Sequence, residues 1–354
     1  MNREIERMRF YQKLTPEHMR KVLARKAEIM AAVKDLSIGQ DTRIFLVANG
    51  SSGEGVQIAS FIWERVLDIR PYVVSPYQFN NYPAKLKETD IVLALSQTGT
   101  SHEVVEALRT AKKQGAKTIG VTAAENTAIT KEADIVILVP EGKEDVDYKV
   151  VGVVVNMLVV ILVGYGLAEA KGKAHDLENV AQEIYASSER YFQTAALVEN
   201  WVSANFEWLN QATSFTCVGS GPLLEVAEEW AIKMIEVTNK QCFYIDVEEY
   251  LHGACAVTDP QHVTVMVIGN ENREYAEKVF NASVKFGKKT VWLGPQGPEG
   301  QCGYTLSDDE VVAVFDALAA VHAFVIAYGD LGNYGGAGTG IFAFYQNELK
   351  VREG

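Results

Sequence analysis

One pattern of strand, glycine-containing loop and helix occurs twice in the 354-residue chain. RIFLVANGSSGEGVQIASFIWERVL, which begins at residue 43, is similar to SFTCVGSGPLLEVAEEWAIKMIEV, which begins at residue 214, with Gly219 in the position of Gly50. Farther along, GAKT at 115–118 matches GKKT at 287–290. An internal repeat with a period of about half the chain predicts two similar α/β domains.

Apolar segments alternate with amphipathic ones in both halves, as in DIVLALS, then HEVVEALRTAKKQG, then KTIGVTA. Strands that alternate with helices in this way are typical of a parallel sheet covered on both faces. The predicted fold class is therefore α/β, with two tandem domains that are flavodoxin-like three-layer sandwiches. We predict an N-terminal helical segment at 1–35, a first domain at 36–170, a helical linker at 171–205, a second domain at 206–330 and a C-terminal tail at 331–354.

Two helices can be predicted in some detail. TPEHMRKVLARKAEIMAAVKDL predicts a helix with Thr15 as its N-cap and Pro16 at its first helical position, ending near Leu36. VVGVVVNMLVVILVGYGLA at 150–168 is nearly long enough to cross a bilayer, but Asn156 and three glycines interrupt it. Because no second span or aromatic belt accompanies it, we predict a helix buried on every side, partly in a subunit interface.

Charge and cysteine content exclude several classes of protein. A formal net charge of −13 argues against binding to duplex nucleic acid or to an anionic membrane surface, since both need a basic face. The four cysteines lack C-x-x-C and zinc-finger spacing, which indicates free thiols in a reducing, cytoplasmic compartment. The N-terminus MNREIERMRF lacks the apolar core of a signal peptide. We expect no nucleic-acid partner and no membrane.

The segment LALSQTGTSHEVVEAL, at 93–108, joins an apolar strand to an amphipathic helix. Its turn carries four hydroxyl side chains, Ser96, Thr98, Thr100 and Ser101. Open α/β sheets bind ligands beyond the carboxyl ends of their strands, where helix N-termini offer free N–H groups and a positive dipole end. Residues 96–101, called the hydroxyl turn below, are therefore predicted to hold a dianion such as phosphate, with Gln97 as an amide donor and no charge from Lys or Arg.

An ordinary interpretation is that Ser101 is an N-cap and that the other hydroxyls are turn residues. The repeat argues against it, because the corresponding place in the second half reads GNENR, at 269–273, and lacks the hydroxyls. Keeping the fold thus does not require them. A second turn, NGSSG at 49–53, is predicted to reach the rest of the ligand. No G-x-x-x-x-G-K-[ST] loop is present, so the sequence does not predict ATP hydrolysis.

VANGSSGEG, LSQTGTSHEV and the doubled α/β plan resemble the sugar isomerase (SIS) domain proteins, in particular the isomerase half of glucosamine-6-phosphate synthase and the fructosamine-6-phosphate deglycases. The resemblance covers nearly all of residues 36–330. It implies an enzyme that acts on a sugar phosphate without a cofactor. The phosphate-binding residues that it implies are Ser96, Gln97, Thr98 and Ser101. The residues that it implies for contact with sugar hydroxyls are Gly50, Ser51 and Ser52.

The helix LLEVAEEWAIKMIEVTNK, at 223–240, carries Glu229, Lys233 and Glu236 on one stripe. By spacing alone, this stripe is a solvated face with a Glu–Lys pair worth a few tenths of a kcal/mol. The resemblance implies another role. In the family's isomerases a carboxylate at the position of Glu236 moves a proton between sugar C1 and C2, and Lys233 would orient that carboxylate or lower its pKa.

In VEEYLHGACAVTD, at 247–259, Glu249 and His252 stand three residues apart. No second histidine stands at ligand spacing, so we expect no metal, and by its residues alone the histidine caps a buried turn. The resemblance implies instead that His252 opens the sugar ring and comes from the neighbouring subunit, which requires a homodimer or a larger homo-oligomer. The synthases also have a tail lysine that forms a Schiff base; here only Lys350 could match it, and a surface lysine is the ordinary interpretation.

The predicted activity is cleavage of an Amadori compound, a ketose 6-phosphate with an amine at C1, into a hexose 6-phosphate and an amine or amino acid. Two alternatives stay open. One is isomerisation or deamination of an amino-sugar 6-phosphate by the same C1–C2 proton transfer. The other is a non-catalytic sensor of sugar phosphates, which would not need both Glu236 and His252.

Overall fold

A computed structural model describes residues 3–82, 84–140, 142, 144–271, 273–335 and 339–353. The chain divides into two compact units that alternate along the sequence. The first unit comprises Glu17–Asp145, Val151–Gln182 and Ile341–Gly354. The second unit comprises Met1–Pro16, Val146–Val150 and Glu183–Gly340. Each unit contains one five-stranded sheet, as the internal repeat predicts.

The chain begins with two helices, α1 Arg3–Ala24 and α2 Lys26–Ala31. The prediction of a helix that starts at Thr15 is wrong, because Pro16 lies inside α1, and the helical segment also ends a few residues earlier than predicted. Proline removes one N–H group from the helical ladder. The apolar side chains buried along the first half of α1 offset that loss. The Thr15 hydroxyl donates to the carbonyl of Tyr11, 3.2 Å away, instead of capping a helix.

The first unit is built on five parallel strands. They are β1 Ile44–Val47, β2 Tyr72–Val74, β3 Ile91–Leu95, β4 Lys117–Thr122 and β5 Ile135–Leu138. The remaining helices of this unit up to residue 170 are α3 Ser51–Leu67, α4 Pro76–Asn81, α5 His102–Lys113, α6 Ala128–Glu132 and α7 Val151–Ala170. The strand order is β2-β1-β3-β4-β5. The connections reverse direction between β1 and β3, which is where sheets of this kind bind ligands.

The sequence analysis did not predict β2 or α4. β2 has only three residues and is partly exposed, so it lacks the apolar run that marks the other strands. α4 does carry a start signal, since the Ser75 side chain accepts a hydrogen bond from the backbone N–H of Gln78 and Pro76 occupies its first turn. With only six residues, α4 is too short to show a helical period.

The second unit repeats this architecture. Its strands are β6 Ser214–Gly219, β7 Gln241–Asp246, β8 His262–Val267, β9 Lys289–Gly294 and β10 Cys302–Gly303. From α8 onward, the helices of the chain are α8 Leu177–Leu209, α9 Pro222–Thr238, α10 Val247–Leu251, α11 Arg273–Phe286, α12 Glu310–Leu331 and α13 Thr339–Glu348. The strands are parallel, and their order, β10-β9-β8-β6-β7, is that of the first sheet. The α/β fold class is confirmed.

The glycine that corresponds to Gly50 is Gly221, not Gly219. Gly50 and Gly221 each precede the first residue of a helix, with φ of +56° and +54°. Gly219 is the last residue of β6. A positive φ is costly for residues with a side chain, so both turns select glycine at the N-cap. The repeat is thus recognised at the right place, but its alignment is off by two residues.

Among the described residues, two helices, α7 and α12, are long and apolar enough to cross a membrane, and their apolar windows are completely buried in the protein. The expectation that no second such segment accompanies residues 150–168 is therefore wrong, since α12 has a similar length and apolar character. Every residue of α7 from Val151 to Ala168 is buried within the single chain. The prediction of a helix buried on every side is confirmed. A subunit interface is not needed to cover it, contrary to expectation.

A buried carboxylate connects α8 to α12. Asp316 is 1% exposed, and its oxygens accept hydrogen bonds from the Ser187 hydroxyl at 2.7 Å and from the Ser307 backbone N–H at 3.0 Å. The Arg190 guanidinium adds two more, at 2.7 and 2.6 Å. Because four donors and one opposite charge surround it, this carboxylate can be buried without a large desolvation cost.

Replacing Asp316 should destabilise the second unit. Asp316→Asn removes the charge that compensates Arg190, and breaking a buried pair in this way costs on the order of 3 kcal/mol. Urea denaturation followed by circular dichroism measures the change in the free energy of unfolding. The matched control is Asp308→Asn, at an exposed position, which should change that free energy by less than about 0.5 kcal/mol. Equal effects of the two substitutions would contradict the assignment.

Candidate functional site

The hydroxyl turn begins where β3 ends and leads into α5. The Ser96 backbone N–H donates to the carbonyl of Val121 at 3.1 Å, which continues the sheet by one residue. The turn closes through the Gly99 N–H, 3.0 Å from the Ser96 carbonyl, and the Gly99 carbonyl accepts from the Ile129 N–H at 3.0 Å. The backbone of the turn is therefore fixed from both sides.

The four hydroxyls of the turn form two pairs. The Ser96 and Ser101 hydroxyl oxygens lie 3.0 Å apart, and the Thr100 hydroxyl donates to that of Thr98 at 3.1 Å. Each pair uses one of its two hydroxyl hydrogens, so one in each pair is left to donate to a ligand. Ser101 does precede α5, but its side chain makes no capping hydrogen bond. The ordinary N-cap interpretation is therefore wrong for its side chain.

The Gln97 side chain has a structural partner. Its amide nitrogen donates to Glu144 at 3.1 Å, and Glu144 also accepts from the backbone N–H groups of Val151 and Gly152 at 3.3 and 2.5 Å. A Cβ at Gly152 would lie 2.4 Å from the Gln97 amide nitrogen and 2.9 Å from a Glu144 carboxylate oxygen, so a side chain there would displace this contact. The amide predicted to donate to phosphate thus links the hydroxyl turn to the first turn of α7.

The second predicted loop, NGSSG, lies at the start of α3. Gly50 precedes the helix, and its carbonyl accepts from the N–H of Gly53 at 2.6 Å. Ser51 and Ser52 are half-buried in the first helical turn. This loop therefore has the glycine-led helix N-terminus that suits a polar or anionic ligand group.

Three charged side chains of α9 form a compact cluster in the second unit. The Lys233 ammonium lies 2.8 Å from a carboxylate oxygen of Glu236 and 3.7 Å from one of Glu229. Lys233 is 1% exposed and Glu229 is fully buried. The interpretation of this stripe as a solvated face is wrong, because the helix packs its charged side into the protein.

A histidine that the sequence analysis missed extends this cluster. His322, on α12, is fully buried with its Nε2 3.0 Å from a carboxylate oxygen of Glu229. Within the described residues its Nδ1 has no hydrogen-bond partner. The sequence signal was a single imidazole within a mostly apolar helix. The four groups form a continuous row, in the order His322, Glu229, Lys233 and Glu236. The first three are buried, and Glu236 is half-buried at the end of the row.

The environment of Glu236 makes it a stronger base than an ordinary carboxylate. Burial raises its pKa, and the nearby negative charge of Glu229 raises it further. Lys233 and Lys149 oppose this by lowering the pKa, but the net change is upward. A fixed carboxylate with a raised pKa is what a general base near neutral pH requires.

A second carboxyl pair stands near the start of α9, and the sequence analysis passed over it. Burial and the neighbouring Glu228 raise the pKa of Glu225 to about 8. Like charges this close cannot both be ionised cheaply, so the pair retains a proton near neutral pH. Carboxyl groups therefore occur at both ends of this helix face.

His252 occupies the C-cap of α10, but it does not cap a buried turn as its residues alone predicted. Its side chain is 69% exposed, and its Nε2 lies 3.6 Å from the carboxylate of Glu248, beyond hydrogen-bond distance. The imidazole is therefore accessible to a ligand or to another chain.

Lys350 is exposed, in a turn after α13 with a φ of +48°. The residues that follow it, 351–353, contact the hydroxyl turn.

Comparison with known families agrees with this architecture. Residues 37–167 match the family model of the SIS domain. This segment is a SIS domain. It contains both the NGSSG loop and the hydroxyl turn, so the resemblance predicted from those two motifs is confirmed.

Several known proteins are similar to this chain over most of its length. Fructoselysine 6-phosphate deglycase of Escherichia coli (strain K12) is 24% identical over 75% of this chain and 77% of its own length. An isomerising glutamine–fructose-6-phosphate aminotransferase of Pyrobaculum aerophilum is 24% identical over 65% of this chain, which spans only 38% of that relative. A protein of Clostridium difficile 630 described as a phosphosugar isomerase has the same fold, with a TM-score of 0.85 at 18% identity over 95% of this chain and 97% of its own. The prediction that the chain is an enzyme is confirmed, since the deglycase and the aminotransferase are both enzymes.

Gly99 should be the residue of the hydroxyl turn that tolerates substitution least. Its φ is +66°, and an added Cβ would lie 2.2 Å from the hydroxyl oxygen of Thr127. Gly172 has a φ of +73° with no atom within 4 Å of an added Cβ, so it is a matched control. We expect Gly172→Ala to cost about 1–2 kcal/mol through its backbone alone. Gly99→Ala should cost roughly 1–3 kcal/mol more through overpacking. Chemical denaturation of both variants tests this, and equal losses would contradict it.

Proposed function

We propose that the protein is a sugar-phosphate deglycase/isomerase. Its substrate is a ketose 6-phosphate with an amine at C1, which it cleaves to a hexose 6-phosphate and an amine or amino acid. The observation that carries this proposal is the half-buried Glu236 carboxylate, 2.8 Å from the Lys233 ammonium, with a raised pKa. The name of the Escherichia coli relative, a deglycase of fructoselysine 6-phosphate, supports this substrate class.

The hydroxyl turn binds the substrate phosphate in this proposal. Ser96 and Ser101 in one pair, and Thr98 in the other, supply hydroxyl donors, while the start of α5 supplies a positive helix end. Gly50, Ser51 and Ser52 contact hydroxyl groups of the sugar. Gln97 acts by holding the turn in place through Glu144.

The chemistry consists of ring opening, two proton transfers at carbon and a hydrolysis. His252, supplied by a second copy of the chain in a homodimer, gives and takes the protons that open the sugar ring. Glu236 removes a proton from C1, and the C2 carbonyl oxygen gains a proton, which gives an enaminol. Glu236 returns the proton to C2, which leaves an imine at C1. Water adds to that carbon, and the C1–N bond breaks to release the amine and the aldose 6-phosphate.

Lys233 has two effects on this base. Its ammonium fixes the carboxylate in one orientation and keeps its pKa from rising further. Lys350 has no part in the proposal, because the substrate already carries an amine. A cytoplasmic location and the absence of a cofactor remain predictions.

Glu236→Gln should abolish turnover while leaving sugar-phosphate binding intact. The amide keeps the shape of the side chain but cannot accept a proton, and general acid–base groups typically contribute about 10²–10⁴ in rate. Release of hexose 6-phosphate from a panel of C1-conjugated fructosamine 6-phosphates is the assay, with glucose 6-phosphate binding measured in parallel. Glu274→Gln is the matched control, since Glu274 forms an exposed pair with Lys278 on α11. Turnover by Glu236→Gln at the wild-type rate would remove Glu236 from the mechanism.

The same panel separates the alternatives. Tight binding without product would favour a sugar-phosphate sensor. Conversion of amino-sugar 6-phosphates in preference to C1-conjugated ketoses would favour an isomerase or deaminase.

Removing Lys233 should shift the pH dependence of turnover. The base works only when deprotonated, so activity is lost as the pH falls through the pKa of Glu236. Lys233 lowers that pKa, so Lys233→Met raises it and moves the acid limb of the kcat profile to higher pH. Lys278→Met, in the exposed pair on α11, is the control and should leave the limb in place. If the acid limb of the kcat profile of Lys233→Met is unchanged or lies at lower pH, this result contradicts the role of Glu236 as the base.

A further inference from the structure

The segment 351–353 pairs with the hydroxyl turn within the first unit. The Val351 carbonyl accepts from the His102 N–H at 3.0 Å, and the Glu353 N–H donates to the Thr100 carbonyl at 2.7 Å. Ser101 and Arg352 form an antiparallel bridge between these two bonds. The segment therefore lies across the start of α5 in a defined register.

This register brings the Arg352 side chain to the turn. Its guanidinium donates to the Thr98 hydroxyl oxygen at 2.9 Å. That oxygen also accepts from Thr100, so both of its acceptor positions are used and its own hydrogen is left for another partner. Arg352 forms no ion pair among the described residues, and a guanidinium has five N–H donors. A positive group with unused donors thus lies beside the hydroxyls.

The next residue anchors the segment. The Glu353 carboxylate receives two hydrogen bonds from Arg109, at 2.7 and 3.0 Å, and lies 3.0 Å from Nδ1 of His102. His102, Glu106 and Glu353 have the spacing of ligands around a cation. Arg109 already supplies that cation, since it donates to both carboxylates. The cluster therefore fixes the tail to α5 through the Glu353 carboxylate.

The ion pairs near the hydroxyl turn show which of its two neighbouring guanidinium groups, Arg109 or Arg352, has a positive charge available to a ligand. Hydroxyl groups and helix N–H groups donate hydrogen bonds but carry no net charge, and the chain as a whole has a net charge of −13. Arg109 is offset by three carboxylates, those of Glu106, Glu132 and Glu353. Arg352 has no such partner among the described residues and contacts the turn directly. A guanidinium also matches a phosphate group in geometry.

We propose that Arg352 is a ligand of the substrate phosphate and that Glu353, held by Arg109, is the residue that positions it. The inference rests on the proposed function, in which the hydroxyl turn binds that phosphate. It adds the charge that the sequence analysis considered unnecessary. It also gives the tail a role in affinity for the phosphate group rather than in the chemistry at C1.

Binding measurements on the full-length protein test this. Isothermal titration with glucose 6-phosphate and with glucose compares wild type, Arg352→Gln and Lys113→Gln, in which an exposed lysine in the last turn of α5 loses the same charge. Arg352→Gln should weaken glucose 6-phosphate binding about ten-fold or more and reduce its salt dependence, with no change for glucose. Lys113→Gln should bind like wild type. Glu353→Gln should weaken binding in the same direction, since Arg352 loses its anchor.

The outcomes distinguish this inference from the proposed function. Ser96→Ala tests the turn itself. If Ser96→Ala weakens glucose 6-phosphate binding and Arg352→Gln does not, the inference fails and the phosphate site stands. Tighter binding by Arg352→Gln would mean that the tail blocks the turn, which also overturns the inference. If wild type does not bind glucose 6-phosphate, the proposed function and the inference fail together. Thermal melting checks folding, and Arg352→Gln should melt like wild type because the side chain is exposed.

Discussion

The ion pairs of the buried Lys233 ammonium are the interactions on which the candidate site in the second unit depends. A charge removed from water costs several kcal/mol unless opposite charges and hydrogen bonds replace its hydration. Here the replacements come from the same helix, Glu229 four residues before and Glu236 three residues after, so the spacing of α9 sets their geometry. His322 occupies the far side of Glu229 and leaves it no solvent. Glu236 is thus held in one place with a basicity fixed by its surroundings.

The two units have the same strand order but place their polar chemistry at different strands. In the first unit the hydroxyls follow β3, and in the second the charged row lies on α9, which follows β6. The counterpart of β3 is β8, where the turn reads GNENR, and the counterpart of α9 is α3, whose first turn contains Ser51 and Ser52. Each copy keeps the same sheet and carries its polar groups on a different element, a turn in the first copy and a helix in the second. Uncharged donors stand in one copy and titratable groups in the other.

Local signals were sufficient for most of the fold and for the hydroxyl turn. Long apolar strands and amphipathic helices carry their own periodicity, and a cluster of hydroxyls after a strand is visible without a structure. The failures have a common cause, which is that burial is decided by contacts between distant residues. Pro16 is tolerated inside α1 because neighbouring side chains are buried. The α9 stripe has the spacing of a solvated face, and only packing against α12 turns it inward. Arg352 reaches Thr98 across 254 positions of the sequence, which no local pattern encodes.

The division of the chain has a consequence for how the protein forms. Residues 341–353 belong to the first unit, although the strands of that unit end by residue 138 and most of the second unit lies between. A ribosome therefore releases the SIS segment long before it makes the residues that pair with the start of α5. The nascent first unit must wait, with its hydroxyl turn not yet paired to residues 351–353, until synthesis has passed the whole of the second sheet. The pairing of residues 351–353 with the start of α5 therefore follows the synthesis of the second sheet.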